Sequence, residues 1–291
     1  MDRRDFLNTS ILSIGSALLL SSVKAATSDF QIGIYTRPWA EFHYLTALDE
    51  IAKAGYRHIG LMTTKSKNRL VISVDTDIEK AKHIGDQAEE RGLSIISVYG
   101  GGFLDKSVSK SIGRLKKLID NVAACRGKNL LLGGTGDQDQ FELYYNTVRE
   151  CCDHAESQNV HLTLKPHGGL NATGPQCRRI IETVDHTNFT LWYDPGNIYY
   201  YSEGELNPVD DCNSVKDIIT GMCVKDYLPP KNVSVTPGTG QVKFPSIFKT
   251  LYNSGFTSGP LVIECLTPGP LEFLFQEAIK AQKYLMDLIQ S

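Results

Sequence analysis

From residue 30 onward, short runs of apolar, β-branched and aromatic residues alternate with longer stretches whose apolar positions recur every three or four residues. The short runs predict strands at Phe30–Tyr35, His58–Met62, Leu93–Tyr99, Leu130–Leu132, Val160–Leu164, Phe189–Tyr193, Ile218–Val224 and Leu261–Glu264. The longer stretches predict helices at Leu45–Ala54, Asp75–Arg91, Ser107–Cys125, Phe141–Ser157, Pro175–Val184, Phe244–Asn253 and Leu271–Ile289, with a short one near Pro208–Ser214. The third of these places Ile112, Leu115, Leu118, Ile119 and Val122 on one stripe, as a helix packed on a sheet requires. Asp75 or Thr76 is the expected N-cap of the second helix and Gly92 its stop, while Pro175 suits a first helical turn. Regular β-α alternation with no Pro- or Gly-rich linker predicts a parallel sheet in one domain. About eight such units in a chain of this length fit a closed (β/α)8 TIM barrel over residues 27–291 better than an open doubly wound sheet. No G-x-G-x-x-G follows the first strand, so dinucleotide binding has little support; Gly100-Gly101-Gly102 is only a glycine-rich loop.

Composition changes this picture mainly at the N-terminus. Arg3-Arg4-Asp5-Phe6-Leu7, the apolar stretch Ile11–Val23 and the small-residue end Val23-Lys24-Ala25 have the layout of an export signal over residues 1–25, similar to the twin-arginine pattern. The expected location is therefore periplasmic, with no stable membrane span once the signal is removed, since the stretch is too short and too polar to be a membrane helix. The formal charge is −3, and loss of Arg3, Arg4 and Lys24 against Asp2 and Asp5 leaves the remainder slightly more acidic. A mildly acidic chain lacks the basic footprint of a nucleic-acid binder, so a small molecule is the expected partner. The seven cysteines are odd in number and show no C-x-x-C spacing, which suits small buried hydrophobes better than a disulfide or zinc framework.

Candidate chemistry collects at the C-terminal ends of the last four strands, where an α/β barrel builds its active site. Lys165-Pro166-His167 follows the fifth strand and Asp194-Pro195-Gly196-Asn197 the sixth; Cys223-Val224-Lys225-Asp226 ends the seventh and Glu264 the eighth. Two carboxylates and a lysine converging there would shift one another's pKa values and poise a base. Arg37-Pro38-Trp39 after the first strand and Tyr199-Tyr200-Tyr201 after the sixth add cationic and aromatic groups. Arg37, Trp39, Asn197, Lys225 and Asp226 are thus the expected substrate-binding set.

In that order, L-K-P-H-G-G (Leu164–Gly169), Y-D-P-G-N-I (Tyr193–Ile198), C-V-K-D-Y (Cys223–Tyr227), G-T-G-Q-V-K-F (Gly238–Phe244) and P-L-V-I-E (Pro260–Glu264) resemble the sugar phosphate isomerases/epimerases of the xylose-isomerase-like TIM-barrel superfamily, which also holds endonuclease IV. The resemblance implies a carbohydrate substrate and proton transfer next to a carbonyl. It also implies a divalent ion held by a fifth-strand Glu, a sixth-strand Asp, a His near the seventh-strand K-D pair and an eighth-strand Glu. Asp194 and Glu264 match that set; Lys165 stands at the fifth-strand position and Cys223 at the seventh. A protonated lysine has no lone pair to offer a cation. The expectation is therefore that Lys165 takes the ion's electrostatic role, Glu264 moves the proton, Asp194 orients Lys165 or a substrate hydroxyl, and His167 is a further acid/base. A divalent metal (Mn, Zn or Mg) on Asp194, Glu264 and His167, with Cys223 as a further ligand, stays open. So do a lyase acting by β-elimination on a keto-glycoside and a non-catalytic carbohydrate-binding barrel.

Overall fold

The structure, a computed structural model, describes residues 29–290. The expected signal over residues 1–25 and the first two residues of the expected barrel domain lie outside the described residues. Parallel strands β1 (Asp29–Tyr35), β2 (His58–Leu61), β3 (Ser94–Gly100), β4 (Asn129–Leu132), β5 (His161–Leu164), β6 (Phe189–Tyr193), β7 (Ile219–Val224) and β8 (Ser258–Ile263) pair in chain order, and β1 closes on β8. This is the expected TIM barrel, with closure running from Asp29 opposite Ser258 to Ile34 opposite Ile263. Around it lie α1 (Tyr44–Lys53), α2 (Ile78–Glu89), α3 (Val108–Ala124), α4 (Phe141–Ser157), α5 (Gly174–Val184), α6 (Pro195–Tyr201), α7 (Pro208–Asp211), α8 (Phe244–Tyr252) and α9 (Leu271–Gln290). Among the described residues, no helix is long and apolar enough to cross a membrane.

The strands bury both faces, as parallel strands covered by helices must. One core lies between strands and helices, where the α3 stripe residues Leu115, Leu118, Ile119 and Val122 meet Val98, Leu130 and Leu132. A second fills the barrel lumen with Tyr35, Met62, Ile96, Leu131, Trp192, Cys223 and Val262. The period of two then fixes the mouth: two residues beyond Trp192, Cys223 and Val262 come Asp194, Lys225 and Glu264, pointing inward above the apolar plug. All seven cysteines are buried and free, in line with their reading as small hydrophobes.

One local expectation is corrected. The cap of α2 is Asp77, whose side chain accepts from Glu79 N, rather than Asp75 or Thr76. Thr76 is engaged in the preceding turn, where its Oγ1 accepts from Ser73 N at 2.9 Å. The segment after Asp194 opens α6: Pro195 occupies the first helical turn and the Asp194 carboxylate accepts from Asn197 N at 3.0 Å.

Candidate active site

Asp194 and Glu264 face each other across the mouth, bridged by two ammonium groups. Lys165 Nζ donates to Asp194 Oδ2 at 3.2 Å and to Glu264 Oε2 at 2.5 Å. Lys225 Nζ reaches the same two side chains, Asp194 Oδ2 at 3.0 Å and Glu264 Oε1 at 2.8 Å, and also Asn197 Oδ1 at 2.9 Å. Arg37 Nη1 completes the set on Glu264 Oε1. Lys165, Lys225, Asp194 and Glu264 are all buried.

Local backbone explains how this lattice is held. Asn197 sits in the first turn of α6, and its Nδ2 donates to Pro166 O at 2.7 Å, tying the β6 loop to the end of β5. Gly196 lets Lys225 pass: a Cβ there would lie 2.7 Å from both Lys225 Cγ and Lys225 O. Asn171 Nδ2 donates to Gly133 O and Lys165 O, both at 2.8 Å, and fixes the end of β5 against that of β4. Arg37 leaves β1 on a single 3-10 turn, Arg37–Trp39. That turn is anchored by Thr36, whose Oγ1 donates to Thr63 O and accepts from Met62 N.

Charge balance sets the protonation states. Burial works against charge on Lys165, but the Glu264 and Asp194 carboxylates outweigh it and hold the ammonium well above its ordinary pKa. Burial likewise opposes ionisation of Glu264, yet Lys165, Lys225 and Arg37 drive its carboxyl well below the ordinary 4.5. Burial pushes the Cys223 thiol well up, against the pull of Lys165, so Cys223 is a neutral thiol. His167 is pushed down to about 3, first by burial and then by Lys165 and Lys225, so its imidazole is neutral at physiological pH. Its ring lies 5.6 Å from that of Tyr201 and 6.3 Å from that of Tyr99. Gly168 makes the Tyr201 approach feasible: its φ is +84°, and a Cβ would lie 2.5 Å from the Tyr201 ring.

His167 has a measurable consequence. Its folded pKa lies below its unfolded value, so the unfolded chain binds the extra proton and stability rises with pH between the two values. As pH falls from 6.5 towards 3, the native state loses stability on account of this side chain. Urea unfolding across that range is expected to show a shallower acid decline in His167→Gln than in the wild type. Parallel declines would show that the imidazole is not neutral in the fold.

The expected substrate-binding residues divide. Arg37, Asn197 and Lys225 belong to the charged lattice. Trp39 is 1% exposed and packs in the core between strands and helices. Asp226 is buried, and its oxygens accept from Tyr227 N, Gly238 N, Gly240 N and Val242 N, so it shapes the loop after β7. Asn171 and Tyr99 join the site without having been singled out for it, and of the expected tyrosine run it is Tyr201 that reaches His167. For Tyr99 the signal was its position at the end of a strand.

A divalent cation fits these residues poorly. Asp194, Cys223 and Glu264 do offer ligand atoms within 4.8 Å of one another. Yet Asp194 Oδ2 and both Glu264 oxygens already receive cationic donors, and Asp194 Oδ1 receives a backbone N–H. Coulomb repulsion between a dication and one ammonium 4 Å away is about 8 kcal/mol at an effective dielectric constant of 20, and two ammoniums stand here. The neutral Cys223 thiol would also have to ionise. A second grouping, Asp153, Glu156 and His186, lies on the surface, where His186 and Asp153 pair with each other at 3.0 Å.

Comparison with known proteins agrees with the architecture. No curated protein matches the chain significantly. The D-psicose 3-epimerase of Clostridium cellulolyticum H10, solved with D-tagatose, superposes with a TM-score of 0.71 at 15% identity, covering 90% of this chain and 100% of that one. A xylose isomerase-like TIM barrel protein of Mycobacterium smegmatis, in complex with magnesium, gives 0.71 at 16% identity, covering 91% and 98%. A xylose isomerase domain protein of Planctomyces limnophilus gives 0.68 at 18% identity, covering 89% and 97%. A family profile described as a xylose isomerase-like TIM barrel matches residues 48–285, and the chain belongs to that family.

Proposed function

We propose that this protein is a sugar isomerase/epimerase-like enzyme that moves a proton at the carbon next to a carbonyl of a carbohydrate, using two lysine ammonium groups as its electrophile. The observation that carries this reading is the double bridge of Lys165 and Lys225 across Asp194 and Glu264.

In the resting site Glu264 is a weak base, because three cations stabilise its carboxylate. A substrate carbonyl oxygen entering the mouth competes for the Lys165 and Lys225 donors and loosens their hold on Glu264, which raises its basicity. Glu264 then takes the carbon-bound proton, and the C–H electron pair becomes the enediolate double bond. The carbonyl π pair moves to the substrate oxygen. Negative charge thus leaves Glu264 and reappears on that oxygen within reach of the same ammonium groups, so they stabilise the transition state without reorganising. Asp194 keeps both lysines in position, and neutral His167 can pass a proton between substrate oxygens. Return of the proton from Glu264 to the neighbouring carbon completes an isomerisation.

A second reading, β-elimination from a keto-glycoside, is favoured by one feature. Asp194 is held at Oδ2 by two lysines and at Oδ1 by the backbone of α6, whereas every donor on Glu264 is a side-chain ammonium or guanidinium that a substrate oxygen can draw away, so Glu264 is the carboxylate that substrate binding can release as a base. A single base suits isomerisation or elimination better than two-base epimerisation.

The test is deuterium incorporation into D-fructose, D-psicose, D-tagatose and their C6-oxidised acids in D2O, followed by proton NMR after chelator treatment. Exchange that survives the chelator is the expected result. Saturable sugar binding with no exchange in any of them would make the protein a carbohydrate-binding barrel instead. We further propose export to the periplasm, supported by Arg3-Arg4 and the apolar run after it. Unchanged periplasmic recovery of an Arg3→Lys/Arg4→Lys variant would refute the twin-arginine route.

A further inference from the structure

We propose that the natural substrate carries a carboxylate, which Arg37 receives at the mouth, and so belongs to the sugar acids rather than the neutral sugars. This rests on the proton-transfer reading for the place of the substrate carbonyl beside Lys165.

Formal charge is the first support. Three cations (Arg37, Lys165 and Lys225) surround two anions (Asp194 and Glu264). Asp226 stands apart from this cluster: among the described residues no ion pair joins it to Arg37, Lys165 or Lys225, and its oxygens face four backbone N–H groups of the loop after β7. A neutral sugar filling the mouth would strip water from a centre left with one uncompensated positive charge, which is costly. One carboxylate brings the formal sum to zero, whereas a phosphate dianion overshoots it.

The second support is the geometry of Arg37. Among the described residues its guanidinium bonds only Glu264, through Nη1, and its side chain is 37% exposed while every other charged member of the cluster is buried. A guanidinium has five N–H donors in a planar fork. The donors not used on Glu264 are at the one open position of the lattice, and a fork of that kind matches a carboxylate bidentately.

The experiment measures equilibrium binding by calorimetry for two matched pairs, D-fructuronate against D-fructose and D-tagaturonate against D-tagatose, which differ only at C6, together with D-fructose 6-phosphate. The acids are expected to bind about 10- to 100-fold more tightly than their neutral partners, the worth of a charge-assisted hydrogen bond. Arg37→Gln is expected to collapse that ratio, and Arg37→Lys to restore it in part. Equal or tighter binding of the neutral sugars, no binding of either acid, tighter binding of the phosphate ester than of the acids, or a ratio that survives Arg37→Gln overturns the proposal. The wild-type ratio decides the matter even where the variant does not fold. Deuterium exchange into neutral ketoses with no preference for the acids would sink this inference and leave the proton-transfer reading intact. Preferential acid binding with no exchange would do the reverse.

Discussion

Replacing Glu264 by Gln is expected to lower deuterium exchange at the sugar carbon by about 10²- to 10⁴-fold, the range that a positioned general base contributes. An amide of the same size cannot accept the carbon-bound proton, and Asp194 is poorly placed to take over, because one of its oxygens is held by the backbone at the N-terminus of α6 while the other keeps both lysines. The substitution also disturbs the charge balance, since Lys165, Lys225 and Arg37 would then face Asp194 alone. Removing one partner of a buried ion pair costs about 3 to 5 kcal/mol, so the variant should also unfold at lower urea concentration. The two effects separate by pH. Glu264 has a folded pKa well below 4.5, so its contribution is fully present above that value and is lost as pH falls through the folded pKa. Glu264→Gln should therefore be less stable than the wild type near neutrality and converge on it in strong acid, while its exchange defect persists wherever it is folded. Exchange at the wild-type rate in a folded Glu264→Gln sample would remove Glu264 from the chemistry and shift attention to His167.

The weak ground-state basicity of Glu264 does not argue against that role. The cations that depress it also wait for the charge that proton transfer creates, so what they cost in basicity they return in stabilising the enediolate. What matters is the difference between resting carboxylate and transition-state oxyanion, and the ammonium groups serve both in turn. Lys225 is central to this balance, because it bonds Asp194, Glu264 and Asn197 together.

The barrel and half of the site were legible in the chain because both rest on periodicity. Alternation along β6, β7 and β8 places Asp194, Lys225 and Glu264 on the lumen side whatever their neighbours do, and all eight strands fall where their apolar runs predict. The same rule separates Cys223 from Lys225: Cys223 belongs to the apolar plug and Lys225 is the next inward position, so the seventh-strand group that meets the carboxylates is the lysine. Sequence matching at Cys223 could not show this. What periodicity could not reach was how polar groups are spent. Asp226 and Lys225 are neighbours of equal promise in the chain, yet one faces the carboxylates and the other turns to four backbone N–H groups of its own loop. Trp39 sits two residues from Arg37, yet the 3-10 turn between them sends the indole into the outer core. Such outcomes depend on loop conformation, and single residues in loops carry no repeating signal.

Lys165→Glu is expected to create a divalent-metal site where the wild-type residues fit a dication poorly. The substitution replaces an ammonium that already bonds Asp194 and Glu264 by a third carboxylate on the same strand end, so the formal charge of the cluster passes from one positive to one negative. With one like charge gone and one ligand gained, Mn²⁺ affinity should rise on the order of 10³-fold or more, a conservative share of the Coulomb term for a dication near an ammonium. Manganese titration followed by electron paramagnetic resonance should show one bound ion in the variant and none in wild-type protein. At 100 times its dissociation constant that ion should stabilise the variant by about 2.7 kcal/mol. Lys165→Met separates electrostatics from ligation. It removes the ammonium without supplying a ligand, and loss of one preorganised donor to the developing oxyanion should slow exchange by about 10²- to 10³-fold with no response to manganese. A tightly held stoichiometric ion in wild-type protein, lost on Asp194→Ala, would show instead that the lysines yield to a metal, and the ammonium mechanism would fall with them.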